Sequence, residues 1–125
     1  MFRLLRSLLG MDSPAERRRS ERYLDSTRVD LELGNLLYDG RLVDVSIDGA
    51  RLQSHARLDV GRSMLVRVPE RNGCTHLALL VTWSTRKGDR YEVGAVPDPN
   101  HRVSRMLLRN YVQRYGRGAP RVRFA

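Results

Sequence analysis

The sequence predicts a mainly β fold: a six-stranded antiparallel β-barrel with a C-terminal α-helix and a flexible N-terminal arm. Three observations predict it. Between Thr27 and Val96 short apolar segments of strand type are separated by breaks that contain Gly, Pro or charge; no helical segment lies among them to provide parallel crossovers; and one helical pattern follows from Asp98. Short strands at this density, joined without helices, favour antiparallel pairing, and closure into a barrel removes the exposed edges.

From Thr27 the hydrophobic period is two, with Val29, Leu31 and Leu33 alternating against Arg28, Asp30 and Glu32, as a half-buried strand requires. Asp39-Gly40 stands between Leu36-Leu37-Tyr38 and Arg41-Leu42-Val43 and predicts a tight hairpin, because this dipeptide tolerates positive φ. Asp48-Gly49 marks another turn, and residues 50–53, 64–68, 77–83 and 91–96 read as further short strands. Asp98 as an N-cap with Pro99 at the first helical position predicts the helix start, and Gly116 its stop. On that helix Val103, Met106, Leu107, Tyr111 and Tyr115 form an inward stripe that closes one end of the barrel, leaving Arg102, Arg105, Arg109 and Gln113 toward solvent.

The ends divide the chain into three parts: 1–25, 26–116 and 117–125. In the first, Leu4, Leu5, Leu8 and Leu9 recur at helical spacing opposite Arg3, Arg6 and Ser7, which predicts a short amphipathic segment. Its basic interruptions and the lack of a small-residue cleavage site predict that it stays in the mature chain. Residues 12–25 are polar, contain Pro14 and lack periodicity, so they read as a mobile arm. Residues 117–125 read as a loose basic tail.

The 125 residues suffice for one modest core, with 41% hydrophobic residues. Basic side chains outnumber acidic ones by 23 to 14, a formal charge of +9 that attracts phosphorylated ligands, polyanions or acidic surfaces. All the basic residues except Lys87 are Arg, a bias that a GC-rich genome also produces, so the position of the arginines carries more than their number. A lone Cys74 forms no internal disulfide, which predicts a cytoplasmic protein. Apolar runs such as Leu77 to Val81 fall far short of the roughly 20 residues that cross a bilayer.

Two motifs carry the chemistry. Glu16-Arg17-Arg18-Arg19-Ser20-Glu21-Arg22-Tyr23 contains an Arg-x-x-x-Arg pair, Arg18 and Arg22, on the arm. Asp44-Val45-Ser46-Ile47-Asp48-Gly49 is an Asp-x-Ser-x-x-Gly segment that leaves a strand for a turn. Each alone is commonplace: an arginine run is usually a solvated face, and Gly49 serves any turn.

In this order and spacing, ahead of a strand-rich segment and a final helix, the two motifs resemble the PilZ family over about residues 16–115. The resemblance implies a cyclic di-GMP site formed by Arg18, Arg22, Asp44, Ser46 and Gly49. Trp83 and Gly94 stand where the family often has such residues, and a buried structural role for Trp83 is equally open. Arg17 implies a pair of intercalated ligand molecules, and Arg19 is either a phosphate contact or solvated. The residue types suit such a ligand, since the Arg fork matches phosphate oxygens and the O6/N7 edge of guanine. A carboxylate such as Asp44 accepts from guanine N1 and N2, while Ser46 donates or accepts close to the backbone. Gly49 permits a turn closed to other residues and close approach of the ligand.

The expected function is therefore a cyclic di-GMP receptor, without metal or catalysis, that changes the conformation of its arm and signals to a protein partner. Catalysis is disfavoured because His55, His76 and His101 lack ligand-like spacing and Cys74 has no catalytic neighbourhood. A basic nucleic-acid-binding barrel is an alternative weakened by aromatic supply, with Phe2 and Phe124 at the ends and Tyr111 and Tyr115 on the helix. A PilZ-like adaptor that binds only protein is the other.

Overall fold

In the computed structural model, which describes residues 21–122, seven strands precede one helix. The strands are β1 (Tyr23–Leu24), β2 (Arg28–Leu33), β3 (Leu36–Ser46), β4 (Gly49–Ser54), β5 (Ser63–Glu70), β6 (Gly73–Lys87) and β7 (Arg90–Pro97), and the helix is α1 (Ser104–Tyr115). Every pairing is antiparallel, in the order β3-β2-β5-β6-β7-β4, and the β3–β4 pairing closes the barrel. The predicted barrel is thus present, with β1 as an additional strand on β3.

Alternation fills the interior. Leu31, Leu42, Leu52, Val66, Leu77, Leu79, Val81 and Val93 are fully buried, and each is flanked along its strand by residues of the outer wall. Helix α1 lies against β6, β3 and β7 and adds Leu108, Tyr111 and Val112 to this core.

Several local expectations are corrected. Asp39-Gly40 is not a turn but the middle of β3, with Gly40 paired to Val29 on one side and Ser54 on the other. A β-carbon there would meet the Leu31 side chain at 2.9 Å and the Gln53 carbonyl at 3.1 Å, so close packing is what this glycine provides. The hairpin closes earlier, at Gly34-Asn35, where Gly34 takes a φ of 60° at the first turn position, as a two-residue turn of the primed type demands. Gly49 is likewise not a left-handed turn residue; it opens β4, and a β-carbon on it would stand 2.6 Å from the Ala95 carbonyl oxygen of β7.

Helix α1 begins six residues after Asp98 rather than at it. Asp98 instead caps a turn, its carboxylate accepting from the Asn100 amide at 2.9 Å and its carbonyl accepting from Ser104 Oγ at 2.6 Å. With the start displaced, the inward stripe is Ser104, Leu108, Tyr111 and Val112, while Val103 and Met106 are exposed.

The last part of the predicted arm and the first part of the predicted tail are held to the sheet. The Leu24 amide donates to the Pro120 carbonyl at 2.7 Å and the Val122 amide to the Arg22 carbonyl at 2.9 Å, so β1 lies between β3 and residues 120–122. Asp25, buried, accepts from Tyr111 Oη at 2.6 Å and from the Thr27 amide at 2.9 Å. The amphipathic segment and Arg17, Arg18 and Arg19 lie outside the described residues, as does the end of the tail.

Candidate functional site on the outer wall

Two bulges set the site. The register between β3 and β4 shifts between Leu42 and Asp44, and that between β6 and β7 shifts between Val81 and Trp83. A bulge turns the following side chain to the other face of its strand. After these shifts Asp44, Arg51, Gly94 and Trp83 form one row across β3, β4, β7 and β6. Beside it the chain between β1 and β2 folds over the bulge, the Asp25 amide donating to the Val43 carbonyl at 2.9 Å. That geometry sets Arg22, immediately before β1, against Asp44.

Arg22 joins the two sequence motifs. Its Nε and Nη2 donate to Asp44 Oδ1 at 2.9 and 2.6 Å, and its Nη1 donates to Ser46 Oγ at 3.3 Å. Asp44 is 1% exposed and Ser46 0%, whereas the Arg22 side chain keeps 29% of its surface in solvent. A buried carboxylate is costly unless paired and hydrogen-bonded, and here the pairing comes from residues 22 positions apart. Ser46 Oγ also accepts from the Asp48 amide at 3.2 Å, which fixes the turn between β3 and β4.

Arg51 was not among the residues singled out from sequence. Its Nη2 meets Asp44 Oδ2 at 2.5 Å and its Nη1 meets Glu92 Oε1 at 3.3 Å, while Lys87 Nζ reaches Glu92 Oε2 at 3.1 Å. Its Nε is buried and has no hydrogen-bond partner among the described residues. Its only sequence signal was position: two residues after Gly49 in a period-two strand, on the same face as Asp44 across the hairpin. Arg22, Asp44, Arg51, Glu92 and Lys87 form an alternating chain of charges across the wall, with both Asp44 oxygens held by guanidiniums. Asp44 thus orients two arginines on the wall.

Trp83 is not a buried structural residue; it is 40% exposed. Its indole lies across Gly94, where any β-carbon would overlap the ring. An exposed indole face and the half-exposed Arg51 therefore flank one bare glycine, a surface suited to stacking a flat ligand beside cationic donors. Gly49 sits under the site through its approach to β7. Among the described residues no group of three or more His, Cys, Asp or Glu side chains could hold a metal ion, and no helix is long and apolar enough to cross a membrane.

A closed antiparallel barrel with one packed helix, bearing an arginine-carboxylate-hydroxyl corner on its wall, defines the class. Residues 16–114 match the PilZ domain family, and the chain belongs to it. No curated protein matches the chain. Among solved structures, the chain is similar to the PilZ domain with c-di-GMP of YcgR from Escherichia coli, at 16% identity and a TM-score of 0.62 over 82% of this chain and 93% of that one. It is also similar to YcgR in complex with c-di-GMP from Escherichia coli, at 18% identity and a TM-score of 0.60 over 82% of this chain. The match covers 47% of that longer chain, about half its length. At these identities the likeness is one of fold.

Proposed function

We propose that this chain is a cyclic di-GMP receptor that reports the ligand to a protein partner in the cytoplasm, with no catalysis of its own. The observation that carries the reading is the convergence of Arg22 on Asp44 and Ser46, which joins the two motifs into one corner. The similar structures of YcgR are complexes with c-di-GMP, and membership of the same family supports the same ligand class here.

In this reading Arg18 and Arg22, with Arg17 and Arg19 beside them, supply guanidinium forks to phosphate oxygens and to guanine O6/N7. Asp44 and Ser46 hold Arg22 in position, Arg51 adds a further fork, Gly49 allows close approach, and Trp83 offers a stacking face. Arg17 favours two intercalated ligand molecules. Because β1 already fixes Arg22 to Asp25, the change on binding belongs to the segment before Glu21, which closes over the corner and alters the surface offered to a partner.

Hydrogen exchange with and without cyclic di-GMP tests this. The expected result is slower exchange at residues 2–20 with ligand and little change in β5. Equal exchange in both states at a saturating ligand concentration would refute the closing arm.

A further inference from the structure

We propose that a depression beside β2 and β3 binds a small phosphomonoester that also carries hydroxyl groups, a nucleoside monophosphate or a sugar phosphate, apart from the Arg22 corner. The depression has a volume of about 560 Å³, within the roughly 300–1,000 Å³ of small-molecule sites. Arg28, Arg41, Arg67 and Arg90 line it against Asp30 and Asp39, an excess of two positive charges with His55 counted as neutral. Arg22, Asp44, Ser46, Arg51 and Trp83 are not among its lining residues.

Two observations point to an anion. Arg28 stands directly opposite Arg41. The Leu42 amide donates to the Thr27 carbonyl at 2.9 Å, so the adjoining Arg28–Arg41 pair is a non-hydrogen-bonded one, where opposite side chains come closest. Like charges placed so destabilise the sheet, and among the described residues neither arginine forms an ion pair. The second observation is Arg67, whose Nε is buried and has no hydrogen-bond partner among the described residues. Such a donor is costly, and a bound anion satisfies it. Asp30 is in register with Arg67 but forms no ion pair with it. Arg67 Nη2 instead reaches Glu32 Oε2 at 3.7 Å, and Arg90 Nε reaches Asp89 Oδ1 at 3.9 Å. Both contacts are longer than the roughly 2.7–2.9 Å of a charge-assisted hydrogen bond, so both guanidiniums keep donors for a ligand.

The charges select the ligand. A phosphomonoester carries about −1.5 to −2 at neutral pH, which matches the excess of two, and its oxygens suit the planar forks of Arg28 and Arg41. A single carboxylate would leave one of that pair uncompensated. Ionised Asp30 and Asp39 only accept hydrogen bonds, so the rest of the ligand must offer donors, as sugar hydroxyls do. The same carboxylates repel a second phosphate, which disfavours an extended polyanion.

Titration of the full chain with adenosine monophosphate, a hexose phosphate, inorganic phosphate and a single-stranded oligonucleotide, followed by amide signals in nuclear magnetic resonance, tests this. At about 0.05 M salt, where screening is weak, at least one of the two esters should bind saturably at about millimolar affinity or tighter. The shifts should centre on Arg28, Arg41, Gln53 and Arg67, and the tighter ester distinguishes a nucleotide from a sugar source. R28Q with R41Q should weaken binding by about tenfold or more, and D39N should lower the affinity toward that of inorganic phosphate. Thermal melts check folding: the ester should raise the wild-type midpoint and leave that of the double variant unchanged. Without ligand the double variant should melt no lower than wild type, since a repulsion is removed. Cyclic di-GMP is absent from the titration, so its result stands apart from the reading of the Arg22 corner. No saturable binding of either ester by about ten millimolar overturns the proposal, as does binding that the double variant leaves unchanged. An oligonucleotide that displaces both esters from the same residues also overturns it, and marks a nucleic-acid surface instead.

Discussion

Asp44 is buried at 1% exposure with a guanidinium on each oxygen, so its removal affects two cations at once. Asp44→Ala should lower stability by about 2–3 kcal/mol, less than for a wholly buried pair because both arginines reach solvent. A drop in the urea midpoint at unchanged m-value is the expected observation. A second buried polar contact gives a pH signature. Burial, and then its hydrogen bond to Asp25, push the Tyr111 hydroxyl well above the ordinary tyrosine value. The folded state keeps this proton where the unfolded chain releases it, so stability is full below about pH 10 and declines as pH rises beyond it. Tyr111→Phe should cost about 1–2 kcal/mol at neutral pH and flatten the alkaline decline, measured by thermal melts from pH 8 to 11. A remaining slope is expected from Tyr115, raised chiefly by burial, and Tyr23, raised chiefly by its hydrogen bond to Glu21.

Among the elements, β6 and β7 carry the most direct test of how strands position the site. Gly94 is the bare point over which the Trp83 indole lies, and Trp83 is the only tryptophan in the chain. Gly94→Ala should displace the ring, shift the single tryptophan emission to the red and weaken ligand binding by about tenfold, the loss expected for one stacked base. Strand positions were readable where the period of two was clear, as from Val29 to Leu33. Boundaries failed where one local signal serves two structures. Asp39-Gly40 reads as a turn from its neighbours, but contacts with Leu31 and Gln53 from other strands keep it in β3. The Gly34-Asn35 pair carried an equally valid turn signal. For α1, Asp98-Pro99 starts a turn and a start signal alike, and the stripe containing Leu108 wins because it reaches the barrel core.

At the scale of the molecule, barrel and helix were legible because the pattern of short strands followed by one helix leaves few ways to bury apolar faces. The corner was legible in part: Arg22, Asp44 and Ser46 meet as the motifs imply, and Trp83 shares their wall. Arg51 and Glu92 were not, because their membership depends on two bulges and a closing strand pair, features of register that no short window of sequence displays. The central claim is that this corner holds cyclic di-GMP, and the most direct measurement is calorimetric titration of the ligand into wild type and Arg22→Ala. Wild type should bind at about micromolar affinity, and the variant about thirtyfold more weakly, near 2 kcal/mol, while remaining folded. Equal affinity in the two proteins, or no heat from wild type at high micromolar ligand, would contradict the account.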